Sequence, residues 1–331
     1  MAKLFRFLIF IACSTLFFSC VNSPEPSPYP SITFTKVHTM PGNGRSSAVS
    51  FSINGLGYIA LGRDSLKNTL TDCWAFDPVN NKWTSRKTFP GFPRVKAIAA
   101  VSNGKAYVGL GFNPNYGVYT DTIAYLNDFW MYDPVLDYWS PKANFPGTER
   151  DGCVAFEYKN EIFVGAGFNG YGFGREFWKY NPATDKWTEV PDFVELPRTC
   201  SVACTDGEHV YYGTGYNTFN NNDWWEYFPE TGSWKMLKPM PDAGRETAVS
   251  FSLQHRFFVS TGRQFGGNFI GGFLKADIME YDAIKNVWYN RGNVPNGGRE
   301  NALVFILNDK AYIGFGENDN TVLNDLWSFE P

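Results

Sequence analysis

Residues 139–167 read WSPKANFPGTERDGCVAFEYKNEIFVGAG. Two apolar runs, Val154 to Tyr158 and Ile162 to Gly167, flank the pair Asn160 and Glu161. Short β-rich runs joined by a two-residue Asn-type turn make a hairpin, because such turns take positive φ and match strand twist. Ahead of the hairpin stand Trp139 and Arg150, eleven residues apart. The same offset separates Phe34/Arg45, Trp83/Arg94, Trp187/Arg198, Trp234/Arg245 and Trp288/Arg299. An offset that returns roughly every fifty residues is an internal repeat. One small unit is used six times, so function must lie in what differs between copies.

Each copy continues the same way. After the hairpin comes a loop of variable length, then a third aromatic run: Trp74 to Asp77, Phe129 to Asp133, Phe177 to Asn181, Trp224 to Phe228, Ile278 to Asp282 and Leu326 to Glu330. In the first five copies the tryptophan of a fourth run follows, and Asp77-Pro78, Asp133-Pro134 and Asn181-Pro182 start the turn before it, where proline presets φ. No stretch after the leader shows capped helical periodicity. The chain is therefore read as all-β, a six-bladed β-propeller of four-stranded antiparallel blades. The sixth copy ends at Pro331 after its third run. Ser31 to Pro41 has the look of a lone fourth strand, with Phe34 in the tryptophan position, so the N-terminal strand is expected to complete the last blade. The propeller spans 31–331.

The glycine pairs after the second run (Gly109/Gly111, Gly165/Gly167, Gly213/Gly215, Gly314/Gly316), the aromatic third run and the spaced tryptophan together resemble the Kelch repeat family. The first and fifth copies keep one glycine there, Gly62 and Gly262. The resemblance implies the propeller fold and says little about activity, since the fold hosts enzymes, adaptors and lectin-like modules.

The first 19 residues resemble a lipoprotein signal peptide: Lys3 and Arg6 precede an apolar run from Phe7 to Phe18, too short to span a bilayer. The run ends at Ser19-Cys20, which resembles a lipobox with Cys20 as the lipidated residue. The stretch 20–30 is proline-rich and reads as an extended, semi-rigid tether. The expected location is the bacterial cell envelope, lipid-anchored, with the outer membrane favoured and the side it faces left open. A net charge of −4 and no basic run argue against nucleic acid. Aromatics at 18% suit blade-on-blade packing. Cys153 fills a slot held by alanine in four copies, Cys200 and Cys204 lie on one strand, and no disulfide is expected. No spacing suggests a metal, and no cofactor is expected.

The six arginines fall on one rim, near the start of each innermost strand. They are read in two ways, as repeat-wide struts or as an anion site that grips carboxylates with guanidinium forks. In Kelch adaptors the matching arginines contact acidic peptides, and in the similar bacterial sialic-acid mutarotases an axial arginine is thought to engage the sugar carboxylate. The expected ligand-binding set is Arg45, Arg94, Arg150, Arg198, Arg245 and Arg299, with Tyr116, Tyr119, Phe173 and Phe265 from the loops of that rim. Arg45, Arg94 and Arg198, which lack an adjacent acid, are the first choices. The longest loops, Phe112 to Asn127 and Arg263 to Asp277, carry the tyrosine, asparagine and glycine of adaptable recognition surfaces. The leading expectation is a monomeric, non-catalytic propeller that recognises an envelope protein or a glycan. The alternative is a mutarotase or epimerase on an acidic sugar such as sialic acid, with Glu246 or Glu300 moving protons. Glu149 and Asp151 lie on the same rim.

Overall fold

The computed structural model describes residues 23–115, 124–265 and 272–331. The signal segment, Cys20, Tyr116 and Tyr119 lie outside the described residues. Six four-stranded antiparallel sheets form six blades. Blade one comprises Val49–Ile53, Leu56–Ala60, Cys73–Asp77 and Lys82–Arg86, and blade two Ile98–Ser102, Lys105–Gly109, Phe129–Asp133 and Tyr138–Lys142. Blade three is Val154–Tyr158, Glu161–Gly165, Phe177–Asn181 and Lys186–Val190. Blade four is Val202–Thr205, Val210–Gly213, Trp224–Phe228 and Ser233–Met236. Blade five is Val249–Leu253, Arg256–Ser260, Asp277–Asp282 and Val287–Asn293. Blade six takes Leu303–Leu307, Lys310–Gly314 and Leu326–Phe329 from the chain's end and Thr35–Lys36 from its beginning. The closing strand is shorter than its sequence suggests: Thr35 pairs with Ser328 and Lys36 with Trp327, and Phe34 packs on Phe329.

The sheets meet through aromatic faces, which bury a large apolar area per residue. Each blade is also stitched to its neighbour. Trp83, Trp139, Trp187, Trp234 and Trp288 donate Nε1–H to the carbonyls of His38, Lys87, Ala143, Asp192 and Lys238 at 2.8–3.2 Å. Phenylalanine at position 34 has no such donor. Beside this stitch, Asn81, Asp137, Asp185 and Asn286 accept the N–H of His38, Lys87, Ala143 and Lys238. These four stand at positive φ in the turn before the fourth strand. The remaining copy has Gly232, where a Cβ would sit 2.4 Å from Pro191.

Near the axis, backbone replaces side chains. Gly62, Gly111, Gly167, Gly215, Gly262 and Gly316 each donate N–H to the carbonyl of the next blade's arginine at 2.8–3.0 Å. A second belt runs through the residues two after each arginine. Lys96 donates to Ser47, Gly152 to Lys96, Cys200 to Gly152, Thr247 to Cys200 and Asn301 to Thr247. All six residues of this belt have left-handed φ between 52° and 60°.

The proline-rich leading segment differs from its expected form. Residues 23–30 lie against blade five instead of standing off as a spacer. Glu25 donates its N–H to Trp288 at 2.8 Å, and Arg291 donates to the carbonyl of Pro30 at 3.0 Å. The Tyr29 ring covers the guanidinium of Arg256 at 4.1 Å and of Arg291 at 5.0 Å. Both arginines hold the buried carboxylate of Glu280. Two cations sharing one anion leave a positive charge with little water, and an aromatic face answers it. Tyr29→Ala is expected to lower stability by about 1–2 kcal/mol while Tyr29→Phe stays near wild type. Denaturant unfolding measures both, and an alanine variant as stable as the parent would mean that the strap is not docked.

Candidate functional site

The six arginines of the repeat are only 0–2% exposed. Each Nη1 donates to the carbonyl sixteen residues further on, at Leu61, Leu110, Ala166, Thr214, Thr261 and Phe315, over 2.7–3.2 Å. Each also pairs with an acid of its own blade: Asp72, Asp128, Glu176, Asp223, Asp277 and Asp325. Four of these acids accept a second bond from the indole two residues later, at Trp74, Trp130, Trp225 and Trp327, at 2.6–2.9 Å. Glu176 is one methylene longer, and the indole of Trp178 is left without a partner.

This arrangement corrects the expected anion site. The forks of Arg45, Arg94, Arg150, Arg198, Arg245 and Arg299 face inward, to carbonyls and carboxylates, as struts. Arg45, Arg94 and Arg198 have no acid next to them in sequence, yet each pairs with one 25 to 34 residues away. The acids beside the other arginines in sequence do not pair with them. Glu149 accepts from Asn127, Asp151 and Glu246 lie in the field of Lys96, and Glu300 accepts from Thr247 and Arg263. The signal for the true partners is an acid two residues before the third-strand aromatic, as in Asp72/Trp74 and Asp128/Trp130.

What the rim presents is carried by three other positions in each copy, the two residues after the arginine and the first residue after the second-strand glycine, together with the loop residues that follow. The first and third of these pair as a backbone bridge: Ser46 with Arg63, Val95 with Phe112, Asp151 with Phe168, Thr199 with Tyr216, Glu246 with Arg263, and Glu300 with Glu317. Their side chains surround one mouth with two unlike halves.

The first half is aromatic. Phe112, Tyr125, Phe168, Phe173, Tyr216 and Phe265 form a continuous chain, with successive ring centroids 5.1, 6.0, 5.3, 6.0 and 5.9 Å apart. The expected residues Phe173 and Phe265 are both in it. The second half is charged. Glu317 accepts from Arg63 at 2.6 Å, Ser46 at 2.8 Å and Asn301 at 3.0 Å. Glu300 accepts from Arg263 and Thr247, and Arg263 also reaches Asp319 at 2.7 Å.

Between the halves lie Lys96, Asp151, Glu246 and Cys200. Burial lifts the Asp151 carboxyl to about 6, against the pull of Lys96. Burial also lifts Glu246, to about 7; Lys96 opposes this, Glu300 adds to it and Arg263 opposes it. Lys96 is held above the ordinary lysine range by Cys200, then, against its own burial, by Asp151 and Glu246. Burial raises the Cys200 thiol too. Deeper along the axis a cavity of about 240 Å³ is lined by small residues of the first strands, among them Ala48, Ala97, Cys153, Ser201, Ala248 and Ala302.

The class so defined is a six-bladed β-propeller with a ligand-competent axial mouth. Comparison with known proteins agrees on the fold. The Kelch motif matches residues 149–193, which is one copy of the repeat. Comparison with curated proteins gives no match. Among solved structures, the one titled "Structure of YjhT" superposes with a TM-score of 0.75 at 17% identity, covering 89% of this chain and 99% of that one.

The strut reading has a measurable consequence. Arg94→Ala strands Asp128 and the carbonyls of Phe92 and Leu110, and is expected to lower stability by about 3 kcal/mol. Arg175→Ala removes an ion pair with Asp192 that is exposed on both sides and is expected to cost less than about 1 kcal/mol. Chemical denaturation compares the two, and equal effects would contradict the assignment.

Proposed function

We propose that this chain is a carbohydrate-active propeller of the bacterial envelope, held there through lipidation at Cys20, whose mouth binds a reducing sugar and exchanges its anomers. One observation carries the reading: an arc of aromatic faces shares one mouth with two carboxyl groups, the buried Asp151 and the partly buried Glu246, that both lie in the field of Lys96. Aromatic faces take the C–H side of a pyranose ring, and carboxyls and amides take its hydroxyls.

Anomer exchange needs one group to give a proton to the ring oxygen and another to take the proton of the anomeric hydroxyl. Two carboxyls pushed apart in acidity by their surroundings meet that need. Near neutral pH Glu246 is still half protonated and serves as the acid, while Asp151 is mostly ionised and serves as the base. The bond between the anomeric carbon and the ring oxygen breaks, and the open-chain carbonyl forms. The carbonyl then turns its other face to the returning ring hydroxyl, and both protons go back. The reaction consumes no electrons and no co-reactant. Lys96 steadies whichever carboxyl carries the charge. The resemblance to sialic-acid mutarotases supports this reading. The rival reading is recognition of a glycan or an envelope protein without chemistry, which the aromatic arc alone would suffice for.

Exchange spectroscopy by NMR on the anomers of glucose, galactose and N-acetylneuraminate tests the proposal. Acceleration over buffer is expected for at least one sugar, with a loss of about 100-fold in Glu246→Gln. The rate should form a narrow bell. It falls below pH about 6 as Asp151 takes up a proton and above about 7 as Glu246 loses one. Binding without acceleration would leave the recognition reading in its place.

A further inference from the structure

Resting on the proposal that the mouth binds a sugar, we infer that its ligand is an uncharged sugar and not a sugar acid, because carboxylates outnumber cations at the mouth and both guanidinium groups there are already held by carboxylates. The cations among the mouth positions are Arg63, Lys96 and Arg263; the carboxylates there are Asp151, Glu246, Glu300 and Glu317. Arg63 is bound to Glu317, and Arg263 to Glu300 and Asp319. Lys96 lies in the field of Asp151 and Glu246.

A sugar carboxylate entering this mouth would have to draw a cation away from its partner. Glu317 and Glu300 are largely buried, with side chains 14% and 17% exposed. Stripping the arginine from a buried carboxylate leaves an unpaired charge with little water, which costs more than a rim contact returns. The six buried arginines of the repeat cannot take the part, since their forks are closed by their own blades. Nor do the neighbouring loop residues 116–123 and 266–271 supply a cation: by sequence they carry one acid, Asp121, and no lysine or arginine.

The aromatic side of the mouth favours the same class. Asn217, next to Tyr216, is 7% exposed and has neither amide atom paired. Asn220 accepts the N–H of Phe265 at 2.6 Å, while its own amide nitrogen has no partner. Buried amides without partners want neutral donors and acceptors, and sugar hydroxyls are both.

The test uses matched pairs that differ by one carboxylate: glucose with glucuronate and galactose with galacturonate, with N-acetylglucosamine and N-acetylneuraminate alongside. Saturation-transfer NMR with the full chain in detergent reads binding, and exchange spectroscopy on the same samples reads anomer turnover. At least one neutral sugar is expected to bind ten or more times more tightly than its acid. Acids that bind as well as or better than their neutral partners overturn the inference, even if exchange is accelerated and the proposed function stands. Neutral sugars that bind without acceleration leave the inference standing and overturn the catalytic reading. Binding of neither class overturns both. The double variant Glu300→Gln, Glu317→Gln frees Arg63 and part of Arg263, and is expected to narrow the gap for the acid at least threefold; no change would remove the charge argument.

Discussion

A guanidinium buried once per blade holds the first strand to the end of the second and to the start of the third. Burying a cation is costly unless its donors are met and a counter-charge is close. Here a carbonyl, a carboxylate and, in most copies, a further carbonyl of the same turn meet most of them, with only the Nε groups of Arg45 and Arg299 left over among the six. In Arg94, for example, Nε donates to Phe92, Nη1 to Leu110 and Asp128, and Nη2 to Asp128. The acid is then pinned from its other side by an indole in four blades. The strut therefore positions three strand ends and the loop between them. The glycine that follows, donating to the next blade's arginine carbonyl, passes that alignment around the ring.

Because scaffold duties fall to the arginine side chain and to backbone belts, the two residues after each arginine are released from sequence constraint. Their main chains are fully used and their side chains are not. This is why one repeat can hold Ser47, Lys96, Gly152, Cys200, Thr247 and Asn301 in equivalent places. Left-handed φ is uncommon for non-glycine residues, and least comfortable for a β-branched one such as Thr247. The belt imposes that conformation on all six, so strain is concentrated around the axis, where the chemistry proposed for Asp151, Glu246 and Lys96 also sits.

The blades, their number and the closing strand follow from periodicity that is visible in the chain. The mouth is less legible, for a physical reason. Phe112, Phe168, Tyr216 and Phe265 belong to four different copies and become one surface only after the ring closes. Asp151, Glu246 and Lys96 likewise come from three. The arginines drew attention because they repeat, yet repetition in every copy is the mark of a part needed by every blade. Their burial could not be read from adjacent residues, since the acids that neutralise them lie across a loop of variable length. The Asp-x-Trp pattern was open to view and needed only to be matched to the arginine. The strap of residues 23–30 was hidden by its prolines, which suggest a spacer, while Tyr29 and the two cations beneath it come from opposite ends of the chain.

That strap changes how the molecule would carry tension. The closing strand pairs over only two residues, Thr35 and Lys36, and would unzip readily if pulled directly. Force arriving from the leading end meets the Glu25 bond and the stacked Tyr29 first. Blade five, whose strands are joined within one unbroken stretch of chain, thus takes the load before the weakest seam of the ring feels it.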